Sequence, residues 1–245
     1  MQTAADLRSK LKDAYFLILF FAVVSAIFYS CLLPLWEGFD EPFHYGYIES
    51  LSLDHRFPVL GRTRISSEIR QSLTLTPVSP ILHRSLPNST SFAGWFQLLP
   101  EQRDARTKAL SMLPPGLNIE SSELTNYEAQ QAPLAYILLW PVNALISALP
   151  LARRILVLRL CLAASSALLL FASSNLLANA LELTKPFRLL ALACVFESQM
   201  LWASIAHVGN DWLAVPLATA FVATWHWQAA GPGSETCCWR AFCSL

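Results

Sequence analysis

The chain has 245 residues, of which 54% are hydrophobic and 14% charged, with a formal net charge of +0. A soluble domain carries about a quarter charged residues, so this composition argues against an ordinary cytosolic enzyme. It also argues against a nucleic-acid binder, because no excess of Lys and Arg is present to neutralise phosphates. The charges are unevenly spread: 19 of them lie between Glu37 and Glu128. The pattern is that of an all-α integral membrane protein with one large polar loop. Cys31, Cys161 and Cys194 sit in apolar stretches as small hydrophobes. Cys237, Cys238 and Cys243 lack metal or disulfide spacing.

Taken in chain order, residues 1–14 form a cytoplasmic N-terminus held by Arg8, Lys10 and Lys12. Residues 15–36 are free of charge and long enough for a first transmembrane helix, which takes about 20 residues. Residues 37–131 make an extracytoplasmic loop. Residues 132–230 contain about four more spanning helices, on runs 132–152, 160–181, 189–206 (interrupted by Glu197) and 212–230. This predicts a multi-pass protein with about five spans. Arg153, Arg154 and Arg159 return to the cytoplasmic side under the positive-inside rule. A strict count then leaves Asn210-Asp211 on the cytoplasmic side too. Residues 231–245 form an atypical tail with Gly-Pro-Gly and three cysteines.

Two stretches of the loop have helical character. The first lies around residues 64–75, where a serine-rich start precedes Glu68, Ile69, Arg70 and Leu73. The second opens at Pro100-Glu101, with proline at a first-turn position and an acid beside it. There Ala105, Ala109, Met112 and Leu113 fall on one side. Residues 76–94, rich in Pro, Ser and Thr, read as irregular.

Three constellations could carry chemistry. In Trp36-Glu37-Gly38-Phe39-Asp40-Glu41-Pro42-Phe43-His44-Tyr45, acids and an imidazole gather among aromatics where the first helix leaves the membrane, with Trp36 as an interfacial aromatic. Partial desolvation there raises a carboxylate toward general-base range. Asp40, Glu41 and His44 are also suitable ligands for a divalent metal. Asn126-Tyr127-Glu128-Ala129-Gln130-Gln131 stands where the chain re-enters the membrane, ahead of Pro133. Asn210-Asp211 precedes the last apolar run, and Glu197 is the only acid inside one.

These motifs resemble the GT-C superfamily of membrane glycosyltransferases. The likeness is nearest to family 39, the protein O-mannosyltransferase and aminoarabinose-transferase type, and to bacterial relatives carrying Phe-Asp-Glu-Pro-x-His. The matching positions are Phe39-Asp40-Glu41-Pro42-Phe43-His44, Tyr127-Glu128-Ala129-Gln130-Gln131-Ala132-Pro133-Leu134-Ala135-Tyr136, and Asn210-Asp211. They cover roughly residues 35–217, with Ala132-Pro133 in place of the family's Pro-Pro.

The resemblance implies an integral protein of the bacterial inner membrane. Such an enzyme transfers a sugar from a polyprenyl-phosphate donor to a lipid, glycan or protein acceptor on the extracytoplasmic side. Membrane lipid is the other expected partner. It implies Asp40, Glu41 and Asp211 as catalytic residues, with Asp40 acting as base on the acceptor hydroxyl or binding a metal. His44, Tyr127, Glu128, Gln131 and Asn210 fall to substrate binding. A divalent ion, if used, falls to Asp40, His44 and Glu128. Arg62, Arg64 and Arg84 are the candidates for phosphate partner in this reading, with no choice made among them. Family members run to about twice this length, so the chain is expected to be an N-terminal portion. The competing expectation is a non-catalytic polytopic membrane protein, an assembly partner or glycan-binding relative.

Overall fold

The computed structural model describes residues 4–38, 40–86, 88–115 and 123–229, with side chains from Asp13 onward. Phe39 and the cysteine-bearing tail lie outside the described residues. The described chain is mostly helical, as expected for an all-α protein. Its only strands are β1 (Pro77–Val78) and β2 (Thr90–Ser91), a parallel pair in the register Pro77↔Thr90.

The first helix, α1, runs Ala4–Leu32. Its outer face is hydrocarbon, with Phe16, Phe21, Phe28 and Leu32 all exposed. Its inner face is small: Ala22 and Ala26 are buried and let another helix approach closely. That neighbour is α8 (Leu151–Ala180), antiparallel to α1. Ser30 Oγ donates to the carbonyl of Arg159 at one end, and the Tyr15 ring meets Phe171 edge-on at the other. On α8 the buried positions Leu151, Ile155, Leu158, Leu162, Ser166 and Leu170 recur at helical spacing and form the spine of the core.

Two helices, Asp13–Leu32 and Leu151–Ala180, are long and apolar enough to cross a membrane. A third span results if α9 (Lys185–Phe196) and α10 (Gln199–Ile205), bent by 58° at Glu197-Ser198, count as one. The break exposes Glu197 and opens a cleft of ≈ 270 Å³ lined also by Ser25, Tyr29 and Gln199. Trp202 Nε1 donates to Phe196 O across it. α11 (Asp211–Ala229) then packs along α8. The helix lengths thus supply two or three spans, fewer than the five expected from charge-free runs.

The difference begins at the run 132–152. It holds only α7 (Leu134–Leu145), 12 residues, short of the about 20 needed to cross. Pro150 then precedes the first residue of α8. Arg153, Arg154 and Arg159 therefore do not form a connection on the opposite side. They lie within α8, at the end of the bundle that carries Asp40. A count that omits α7 as a span changes the order of everything after it. The chain descends through α8, climbs through α9 and α10, and brings Asn210-Asp211 back to the Asp40 end.

Arg159 makes that end. Its Nη1 and Nη2 donate to Leu33 O and Pro34 O, carbonyls just past the end of α1, at 2.6 and 2.9 Å. Its Nε donates to Glu41 Oε1 at 2.7 Å. Glu41 opens α2 (Glu41–Leu53) and also accepts from Trp36 N at 3.2 Å and Val208 N at 2.8 Å. Trp36, expected as an interfacial aromatic, is instead fully buried, with φ 65. A tryptophan rarely adopts this left-handed conformation. Its Nε1 donates to Ser72 Oγ at 2.9 Å.

The loop helices are capped by serine. Ser66 caps α3 (Ser67–Leu75), Ser79 caps α4 (Pro80–Ser85) and Ser91 caps α5 (Phe92–Gln97). Residues 76–94, expected as irregular, hold α4, both strands and the start of α5, because two of those caps fall inside the stretch. α6 (Pro100–Ser111) starts at its proline as expected, but its buried contact is Leu110 rather than Met112.

Arg159→Met should destabilise the protein by roughly 3–5 kcal/mol, since it leaves the Glu41 carboxylate buried and uncompensated. Adding Glu41→Leu should recover most of that loss. Thermal unfolding of the wild type and the two variants in detergent checks both.

Candidate functional site

The site forms where α2 starts. Asp40 is the residue before the helix and makes no capping hydrogen bond with its own side chain. Its carboxylate Oδ1 instead accepts the Tyr127 hydroxyl. Glu41 points into the core and is sealed there, whereas Asp40 stays partly exposed. One turn on, His44 lies on Asp40's side, its Nδ1 2.7 Å from Tyr136 Oη and 3.7 Å from Glu128 Oε2. Tyr136 stacks on Tyr47 at 4.0 Å between centroids, which holds the phenol in place.

The segment 123–131 is delivered to this helix by backbone pairing. Ile65 N donates to Leu124 O and Asn126 N to Thr63 O, around an isolated Arg64↔Thr125 bridge. Asn126 then works from both ends of its amide. Oδ1 accepts from Glu128 N, starting the 3₁₀ turn Tyr127–Gln130, and Nδ2 donates to Phe43 O at 3.0 Å. Tyr127 and Glu128 are thereby fixed against Asp40 and His44.

The third strand of the site is the loop between α10 and α11. Asn210 Nδ2 donates to Gln131 Oε1 at 3.1 Å. His207 Nδ1–H donates to Ala203 O, 2.9 Å away, and the ring lies on Gly38. A Cβ at Gly38 would stand 2.7 Å from that ring, so only glycine allows the approach. Asp211 opens α11 beside Asn210 and is exposed.

Asp40, His44 and Glu128 offer ligand atoms that all lie within 4.8 Å of one another. Two carboxylates and an imidazole suit a divalent cation. Glu128 Oε2 is buried without a hydrogen-bond partner, an acceptor with capacity to spare. These three could hold a metal ion. Burial raises the Glu128 carboxyl above its ordinary range, with Asp40 adding to the effect. Burial, then the neighbouring His207, lowers His44 to about 4, outweighing Asp40 and Glu41. The imidazole is therefore neutral at pH 7, the form that binds metal.

Of the residues expected from sequence, Asp40, His44, Tyr127 and Glu128 come together directly, with Gln131 and Asn210 paired alongside and Asp211 at the same end. Glu41 is placed behind them, its carboxylate fully engaged. Arg62 and Arg64 are not at this site. They line a cleft of ≈ 440 Å³ with Arg56 and Phe57, past the other end of α2. Sequence reasoning missed Tyr136 and His207 as participants, and missed Arg154 and Arg159 as its buried scaffold. Arg154 Nη1 donates to Tyr45 Oη at 2.5 Å, Nη2 donates to Glu68, and Glu49 lies 3.9 Å away. The available signal was basic residues next to a long apolar run, which mark partnered interior positions as readily as a cytoplasmic loop.

No family model, curated protein or solved structure matches the chain.

Mn²⁺ binding, read by electron paramagnetic resonance, should weaken by at least about 10–100-fold in Glu128→Gln, since losing a direct ligand costs no less than losing a residue that orients one. A second prediction concerns Glu49, which burial pushes up to about 7. Its unfolded carboxyl ionises near the ordinary value of 4.5, so between about pH 4.5 and 7 the folded state holds the extra proton. Stability from this group therefore falls as pH rises through that window. Glu49→Gln has no charge to bury. It should be more stable than wild type at pH 7.5 by roughly 2–3 kcal/mol, relative to their difference at pH 4.5. Unfolding midpoints at the two pH values check the sign.

Proposed function

We propose that this chain is a multi-pass membrane glycosyltransferase that moves a sugar from a polyprenyl-phosphate donor to a lipid, glycan or protein acceptor. The reaction takes place at the extracytoplasmic face of a bacterial inner membrane. The observation that carries the reading is convergence. Asp40, His44, Glu128, Gln131 and Asn210 come from three segments far apart in sequence and meet at one end of a helical bundle. The motifs that resemble the GT-C pattern are the ones that meet.

The geometry divides the acid pair. Asp40 is open to a ligand, and Glu41 is a positioning residue tied to Arg159. Asp40 then takes the proton of the acceptor hydroxyl as that oxygen attacks the anomeric carbon. The bond from that carbon to the donor phosphate breaks, and the phosphate leaves with the electron pair. Attack opposite the leaving group inverts the sugar carbon. Tyr127, which donates to Asp40, orients the carboxylate and gives up that hydrogen bond to the acceptor. Gln131 and Asn210, already paired, supply amide groups to sugar hydroxyls.

Asp40, His44 and Glu128 would hold a divalent cation, which when bound neutralises charge on a departing phosphate. Arg154 and Arg159 are committed to buried carboxylates and do not reach a ligand. Asp211 lies at the same end and serves as the second acid.

Asp40→Asn should lower sugar transfer from a polyprenyl-phosphate donor by about 10²–10⁴-fold, the usual worth of a positioned base. Membrane insertion and unfolding temperature should stay unchanged. Transfer by Asp40→Asn at the wild-type rate overturns the proposal.

A further inference from the structure

The end of the bundle remote from Asp40 carries a cleft that the site does not use. α8, α9 and α11 part there around a space of ≈ 410 Å³, within the roughly 300–1,000 Å³ of small-ligand sites. Its walls are mainly hydrocarbon, including Leu170, Leu177, Leu192, Val195 and Leu201. Arg188 is the one charged residue that lines it, and it stands at the Lys185 end of α9.

Arg188 is incompletely satisfied. Its Nε is buried and has no hydrogen-bond partner. Among the described residues, none of the ion pairs includes it. A desolvated guanidinium donor without an acceptor is costly, and a phosphate diester is the acceptor that matches its fork. Lys185 lies in the same first helical turn, and the α9 N-terminus adds its own positive end. Cationic head and apolar wall are therefore continuous in one cleft. Basic pockets between membrane helices take lipid headgroups by this combination.

We propose that this cleft seats one anionic glycerophospholipid, with its phosphate on Arg188 and an acyl chain laid along α9 toward Val195 and Leu201. A zwitterionic lipid offers the same phosphate, but its ammonium is repelled by Arg188. The net negative charge is what selects the occupant. The cleft shares no residue with Asp40, His44 or Glu128, so lipid retention and sugar transfer are read separately.

The full chain in detergent, titrated with phosphatidylglycerol or phosphatidylcholine and read by native mass spectrometry, tests this. One bound phosphatidylglycerol should be retained about fivefold better than phosphatidylcholine, the effect of one cation near a membrane surface. Arg188→Ala should bring that ratio close to one, and Arg188→Lys should keep most of it. Val215→Trp, which fills the cleft, should weaken retention of both lipids. Equal retention of the two lipids by the wild type overturns the proposal, as does an undiminished preference in Arg188→Ala.

Discussion

The pair between Glu41 and Arg159 is the constraint on which the rest of this structure depends. Both groups are withdrawn from water, which costs several kcal/mol per ion unless every hydrogen-bonding position is filled. Here the positions are filled by backbone from separate segments. Arg159 takes the carbonyls just past the end of α1, and Glu41 takes the amides of Trp36 and Val208. One ion pair thus joins the end of α1, the start of α2, the upper part of α8 and the loop before α11. Arg154 does the same on the next stretch of α8 for Tyr45 and Glu68. Such pairs add little net stability over well-packed hydrocarbon, and their contribution is to admit one arrangement of the chain.

That arrangement gives neighbouring acids opposite fates. Asp40 stands just before the helix and Glu41 just inside it, so their side chains leave the backbone in different directions. One is consumed by structure and the other is left for a ligand. His44 follows a turn later on the exposed acid's side. The partner segment is set by Asn126, which bonds to α2 and starts the turn carrying Glu128 with the same amide. The left-handed Trp36 and the crowded Gly38 belong to the same short link between α1 and α2. A link this tight needs unusual backbone, and the burial of the Trp36 ring holds it there.

Much of this was legible in residue order. The charge-free length of α1, the serine and proline starts of α3 and α6, and Asp40 and His44 as ligand types all follow from local chemistry, whereas Glu128 joins them only through the resemblance. What was not legible is partnership. Arg154 and Arg159 read as a cytoplasmic connection because hydropathy treats a charge as an end of a span, whereas here carboxylates from α2 and α3 accompany them into the interior. The run 132–152 has the composition of a span but yields a helix of only 12 residues. Counted without that crossing, Asn210-Asp211 returns to the Asp40 end, where Asn210 meets Gln131. Tyr136 and His207 were missed for a similar reason: their roles exist only through neighbours some ninety residues away or more.

The length of α8 carries one more consequence. At about 1.5 Å per residue, its 30 residues reach about 45 Å, whereas a bilayer's hydrocarbon is about 30 Å thick. The charge-free part, 160–181, matches that thickness by itself, and all three arginines of the helix precede it. If α8 crosses the bilayer, Arg159 marks where oil gives way to headgroups. Through Glu41 it sets the depth of Asp40 and His44 at the same level. α8 then acts as a depth gauge. On the proposed reading, the phosphate of a lipid-linked donor would lie at that height and reach the acid without being lifted from its leaflet.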